Sequence, residues 1–202
     1  IKNPIIMVGK DCPQSDIWRV KHFPTYKSQR STDEGIGPFF RMVYKEKLFE
    51  EGGANVVMSH PHLEADDCIA ITSKNILKKY PDAKITIITS DMDYLQLAND
   101  NISLYNLKYK PLNTEKTSYG NPKKDLFCKI VSGDKSDNIP SVFPKCGKKT
   151  AEKYYENQVL FNKKLQESTE AKEIYERNRL IIDFNCIPQE FVNEFERETL
   201  KQ

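Results

Sequence analysis

A chain of 202 residues is long enough for one domain, or one domain with a small appendage, to bury a core without staples. Ten Phe, ten Tyr and one Trp exclude a disordered chain, and no run approaches the ~18 apolar residues of a membrane span. Lys and Arg number 31 against 29 Asp and Glu, a net charge of +2, so overall charge alone does not mark a nucleic-acid binder.

The chain opens at Ile1 rather than Met and runs at once into Ile5-Ile6-Met7-Val8. That apolar run reads as a strand buried on both faces, so the natural chain is expected to start upstream. Residues 12–35 are polar and turn-rich, with Trp18, Phe23 and Tyr26 among Arg19, Lys21, His22, Lys27 and Arg30. This interleaving suits either nucleic acid or a surface loop whose aromatics tuck onto the core. Residues 36–50 read as a helix ended by Gly52-Gly53, and 54–58 as a strand. A helix is expected over 65–80, stopped by Pro81-Asp82, then a β-branched strand at 85–88. A helical turn or two at 94–98 and a strand at 102–107 follow.

Alternating strands and helices predict an α/β fold with a mainly parallel central sheet. After residue 120 only helices are expected, over 124–131, 148–155, 170–182 and 189–200. The expected organisation is therefore an α/β core over 1–120 and a helical lobe over 121–202, packed as one unit. The five cysteines, Cys12, Cys68, Cys128, Cys146 and Cys186, are odd in number, scattered and without a C-x-x-C. That argues against a disulfide framework or a cysteine-rich zinc site and for a reducing, intracellular setting. His60 and His62 flank Pro61 in what reads as a loop rather than a metal site.

Three acidic clusters stand at junctions between elements: Glu64-Ala65-Asp66-Asp67 at a helix start, Asp91-Met92-Asp93 after a strand, and Asp134-Lys135-Ser136-Asp137 in a turn. Asp11 adds a fourth point after the first strand. Taken singly, each has an ordinary reading as a helix cap or turn former. Taken together, they fall at the carboxyl edge of a parallel sheet, where ligands bind. Carboxylates crowded there repel at about 4 kcal/mol per pair at ~4 Å, and hard divalent cations neutralise them. Two such ions can serve phosphodiester cleavage. Between Tyr105 and Tyr155, eleven lysines face five acids, so the small net charge conceals an acidic centre beside a basic flank. Within that flank, Lys145-Cys146-Gly147-Lys148-Lys149-Thr150 places a glycine turn ahead of a helix start, which suits a phosphate.

Leu63-Glu64-Ala65-Asp66-Asp67, Ile88-Thr89-Ser90-Asp91-Met92-Asp93 and Gly133-Asp134-Lys135-Ser136-Asp137-Asn138-Ile139-Pro140, in this order, resemble the 5′ nuclease family. That family includes flap endonucleases, bacteriophage 5′–3′ exonucleases and the 5′ nuclease domain of bacterial DNA polymerase I. Gly147 to Ala151 resembles its helix–three-turn–helix DNA-binding motif, and Arg19 to Arg30 resembles the segment entering its helical arch. The likeness spans roughly 5–185. It implies a PIN-like sheet flanked by helices, and Mg²⁺- or Mn²⁺-dependent hydrolysis of DNA at 5′ ends, flaps or branch points in replication and repair. Two ions, a monomer and a branched or nicked DNA partner are expected.

By the same resemblance, Asp11, Glu64, Asp66, Asp67, Asp91, Asp93, Asp134 and Asp137 are metal ligands or their support. Arg19, Lys27 and Arg30 contact the scissile phosphate and the 5′ strand, and Tyr26 stacks on a base. Lys145, Gly147, Lys148, Lys149 and Thr150 hold duplex DNA. Family members carry an earlier strand with a further aspartate, which nothing in the given sequence supplies. The family often holds K⁺ in the DNA-binding turn, but the turn here has fewer glycines and is slightly longer. A PIN-like ribonuclease and a non-catalytic branched-DNA binding module are the alternatives.

Overall fold

The computed structural model describes residues 3–29 and 36–199. Strand β1 (Met7–Gly9) pairs in parallel with β2 (Val56–Met58), with Met7 opposite Val56. Strand β3 (Ile85–Ile88) pairs in parallel with β4 (Ile102–Tyr105), with Ile85 opposite Ile102. The α/β class and parallel pairing are as expected. Among the described residues, however, the strands form two separate pairs rather than one continuous sheet. Strand β1 also begins later than the apolar run suggests, because Ile5 is 73% exposed and lies outside it.

The helices are α1 (Trp18–His22), α2 (Ile36–Lys45), α3 (Leu48–Glu51), α4 (Ala65–Lys79), α5 (Pro122–Ser132), α6 (Lys148–Glu156), α7 (Gln158–Gln166), α8 (Thr169–Ile182) and α9 (Gln189–Thr199). The single helix expected over 36–50 is two, because Lys47 turns left-handed at φ 53°. None of these helices is long and apolar enough to cross a membrane.

Three apolar clusters hold the chain together. The first joins both strand pairs to α4 through Met58, Leu63, Cys68, Ile71, Ile87 and Leu104, and it takes in Phe184, Ile187 and Phe195 from the chain's far end. Residues 184–199 thus return to the α/β core, where Asn75 Nδ2 donates to Glu196 at 3.0 Å. The second packs α5 to α8 around Val131, Cys146, Ala151 and Phe161. The third, with Ile17, Tyr26, Ile130, Ile139, Ile181 and Ile182, lies between them. It ties the segment around α1 to α5 and α8.

Two glycines bring the acidic junctions into place. A Cβ on Gly9 would stand 2.7 Å from the Ala65 carbonyl oxygen, so the glycine lets the start of α4 close on the end of β1. Gly133 ends α5 at φ 70°, and a Cβ there would run into the Ile139 and Pro140 backbone. Its left-handed conformation opens the turn in which Asp134 and Ile139 exchange two backbone hydrogen bonds, at 2.9 and 2.7 Å.

Candidate metal centre and nucleic-acid face

Glu64 is the N-cap of α4 and forms a capping box with Asp67, the arrangement that satisfies free amides at a helix start. Asp11, leaving β1, caps the same helix by accepting the Ala65 N–H at 2.8 Å. The carboxylates of Glu64, Asp66 and Asp67 offer oxygens within 4.8 Å of one another, and so do Asp93, Asp134 and Asp137. Asp11 and Asp91 stand outside both groups. Asp91 instead accepts the Asp93 N–H at 2.9 Å and so shapes the 3₁₀ turn at Met92–Leu97.

Two lysines thread these groups. Lys27 is held left-handed at φ 54°, and its amide donates to the Asp137 carbonyl at 3.0 Å. Its ammonium contacts Glu64 Oε1 and lies 4.0 Å from Asp137 Oδ2, which links the two acidic groups. Burial opposes that charge, but Glu64 and then Asp137 hold its pKa above the ordinary lysine value. Lys129, from α5, stands 2.6 Å from Asp93 Oδ1 and 2.5 Å from Asp134 Oδ2. Its pKa is likewise raised, since Asp93 and Asp134 outweigh burial. The sequence signal for Lys129 was slight: one lysine inside the apolar stretch Leu126 to Val131.

The carboxyls differ in charge state. Burial, then Asp67, pushes Asp66 well above the ordinary carboxylate range. Burial likewise pushes Asp93 up to about 6 in spite of Lys129. Asp134 is lowered to about 2, because hydrogen bonds from Lys129 and Ser136 outweigh its burial. Ser136 supplies both its N–H at 2.7 Å and its hydroxyl at 2.6 Å.

Two expected contacts to substrate fall elsewhere, and Asp67 takes a supporting place. Arg19 is only 2% exposed, so it does not face a phosphate. Its guanidinium grips Asp67 at 2.7 and 2.6 Å and Glu64 at 2.9 Å, while Nε donates to the Ile181 carbonyl at 2.7 Å. Tyr26 is 5% exposed and donates its hydroxyl to Glu64 Oε2 at 3.1 Å, so it offers no face to a base. Asp67 is fully buried, and both its oxygens are engaged by Arg19, Trp18 Nε1 and the Glu64 amide. Its place is to anchor Glu64 and Arg19 rather than to offer a free ligand. Arg30 lies outside the described residues.

The basic turn is built as a surface. Lys145 is left-handed at φ 57°, and Gly147 is the N-cap of α6. Lys145, Gly147, Lys148 and Lys149 are exposed, with Thr150 half-buried. Lys124 Nζ clasps α6 through Glu152 at 2.7 Å and Glu156 at 2.8 Å.

The family described as 5′-3′ exonuclease, N-terminal resolvase-like domain matches residues 2–126. The chain belongs to this family. Among curated 5′-3′ exonucleases, that of Bacillus subtilis (strain 168) is 35% identical over 149 residues, covering 69% of this chain and 48% of the relative. That of Buchnera aphidicola subsp. Acyrthosiphon pisum is 34% identical over 143 residues, covering 66% and 46%. The chain therefore spans about half the length of these exonuclease relatives. In fold it is similar to the bacteriophage T5 D15 flap endonuclease solved with DNA and metal ions, at TM-score 0.71 and 19% identity, over 99% of this chain and 84% of that one. It is equally similar, at TM-score 0.71, to a T5 5′-exonuclease with zinc bound.

Proposed function

We propose that this chain is a metal-dependent 5′ nuclease that hydrolyses DNA phosphodiesters at 5′ ends, flaps or branch points. One observation carries the reading: two carboxylate groups, linked through Lys27, stand in a chain that also exposes a lysine-bearing helix start. Membership in the 5′-3′ exonuclease family supports it. The α/β core and the helical lobe act here as one unit and the chain as a monomer.

The donor set fits hard divalent ions. All its candidate donors are carboxylate oxygens, and burial pushes two of those carboxyls, Asp66 and Asp93, toward neutrality, a penalty that a bound cation would offset. Glu64 and Asp66 would hold one Mg²⁺ or Mn²⁺, with Asp67 anchoring them, and Asp93, Asp134 and Asp137 a second. Asp11 and Asp91 shape the edges of the site. Such ions supply an activated water and charge stabilisation at the phosphate. The chain's own contribution is positioning. Arg19 and Asp67 lock Glu64, Lys129 and Ser136 keep Asp134 ionised, and Lys27 is poised between the groups with a charge to offer a phosphate. Lys145, Lys148 and Lys149, with the amides of Gly147 to Thr150, hold duplex backbone away from the cut.

Labelled 5′-flap DNA and its RNA counterpart, incubated with and without Mg²⁺, test the reading. Cleavage of DNA that stops in EDTA and returns with Mg²⁺ or Mn²⁺ is expected. Activity that persists in chelator rules the mechanism out. Preference for RNA favours a ribonuclease, and binding without cutting favours a non-catalytic module.

Three further outcomes follow from the geometry. The proton held by Asp93 up to about pH 6 is absent from the unfolded chain above about pH 4. Its contribution to metal-free stability therefore declines as pH rises through that window. A divalent ion removes the penalty, so the rise in Tm on adding Mg²⁺ should be larger at pH 7 than at pH 5; equal rises count against the site. Lys148→Ala with Lys149→Ala should weaken duplex binding and reduce its salt slope by roughly two, with cleavage at saturation nearly preserved. An unchanged slope would make these lysines merely a solvated face. Lys27→Ala should do the reverse, lowering the saturated rate with little change in affinity; lost affinity at an unchanged rate contradicts its role.

A further inference from the structure

A short loop after β4 sets an exposed aromatic between exposed lysines. Tyr105 bridges to Pro111 and closes the loop at its base. Inside, Asn106 organises the backbone: its Oδ1 accepts the amides of Lys108 at 2.9 Å and Lys110 at 3.0 Å, and its Nδ2 donates to Glu115 Oε1 at 2.8 Å. Its own main chain accepts the Tyr109 N–H and donates to the Lys110 carbonyl, both at 2.9 Å. The polar groups thus turn inward and the large side chains outward. Leu107 is 73% exposed and Tyr109 79%, with Lys108 and Lys110 exposed beside them.

A single exposed apolar residue needs no explanation. The position of Tyr109 does. Its φ is 58°, in the left-handed region where glycine or asparagine rests without strain and an aromatic does not. A loop chosen for stability alone would carry one of those residues. Backbone strain of this kind persists chiefly where a side chain has a task. The loop also leaves the sheet beside the acidic edge: the Thr89 amide donates to the Tyr105 carbonyl at 2.8 Å, and the Thr89 hydroxyl accepts the Asp91 amide at 3.0 Å.

We propose that Leu107 to Lys110 binds unpaired DNA, with Tyr109 stacking on a base and Lys108 and Lys110 meeting the flanking phosphates. An aromatic face between cations is the chemistry that holds single strands without reading sequence. Bases inside a duplex are already stacked on both faces, so the contact favours unpaired nucleotides. This rests on the DNA reading above and adds to it a second hold on the strand.

The test compares fluorescence anisotropy of the full chain, in EDTA so that nothing is cut, on a blunt duplex and on the same duplex with a single-stranded 5′ arm. Tyr109→Asn removes the ring while placing a residue that accepts the left-handed backbone, so Tm should hold or rise. Affinity for the armed duplex should fall about tenfold, with the blunt duplex bound as before. Tyr109→Phe keeps the ring and should keep affinity. Lys148→Ala with Lys149→Ala, the control, should weaken both. If that control weakens both and Tyr109→Asn weakens neither, or both alike, the loop contact is overturned while the DNA reading stands. If the wild type binds neither substrate, both readings fall.

Discussion

Asp134→Asn should lower cleavage of 5′-flap DNA by on the order of a thousandfold while duplex affinity holds within about twofold. Asn has nearly the same shape and can still accept both hydrogen bonds from Ser136, so the turn after Gly133 has little reason to move. What is lost is charge. In the native protein Asp134 stays ionised down to about pH 2 and shares Lys129 with Asp93. Without it, Lys129 is left to Asp93 alone, and that ion pair competes with a divalent cation for the remaining carboxylate. The duplex contacts are assigned to Lys145, Lys148 and Lys149, which Asp134 does not touch. Single-turnover cleavage and a binding isotherm on the same preparation check the separation. Undiminished turnover would remove Asp134 from the metal site. Equal loss of binding would make it part of the DNA surface instead. The depressed pKa gives an independent readout: stability that Asp134 supplies above about pH 4 and that disappears as pH falls toward 2 should be missing from the variant's acid titration.

The acidic site was legible because its signal is one of order. Three carboxylate clusters at the ends of successive elements mean more together than apart, and Glu64 with Asp66, and Asp93 with Asp134 and Asp137, do meet in space. What the sequence did not reveal is which charged residue is buried. Arg19 and Lys27 are both cations beside an aromatic in one polar segment, and nothing in that pattern distinguishes them. The difference is made by α1, whose five residues are too few for helical periodicity to show, and which turns Trp18 and Arg19 inward against Asp67. Tyr26, in the turn that follows, takes the other of the two readings that segment allows: its ring tucks onto the core instead of stacking on a base as the resemblance implies. Helix α7 escaped notice because Val159, an apolar residue in its first turn, is 82% exposed and spoils the stripe. The break between α2 and α3 rests on a left-handed Lys47, a conformation no lysine announces. The parallel pairing was legible in the β-branched runs, but its extent was not: strands of three or four residues pair locally, and composition does not say whether the two pairs found among the described residues join.

Arg19→Met should cost about 3–5 kcal/mol of folding stability, the range for removing one partner of a buried ion pair. At ~2–4 °C per kcal/mol for a chain of this size, Tm should fall by roughly 10 °C. The size follows from what is stranded. Asp67 has no exposed surface and would keep only the Trp18 indole and the Glu64 amide, with no opposite charge. Glu64 would lose its bond to Arg19 yet retain Lys27 and Tyr26. The Ile181 carbonyl, near the end of α8, would lose its donor as well. Arg19→Lys should recover little, because an ammonium cannot grip both oxygens of Asp67 and reach Ile181 together. Arg19→Met combined with Asp67→Asn should recover part of the loss, since it removes the stranded charge, and the two changes should be clearly non-additive. Had Arg19 faced the scissile phosphate, its loss would leave Tm unchanged and lower the cleavage rate. Denaturant melts of the two singles and the double, with cleavage rates on the same preparations, decide between these placements: a stable Arg19→Met with a crippled rate would return Arg19 to the substrate, and an unstable one rescued by Asp67→Asn keeps it beneath Glu64 as the fixed floor of the acidic cluster.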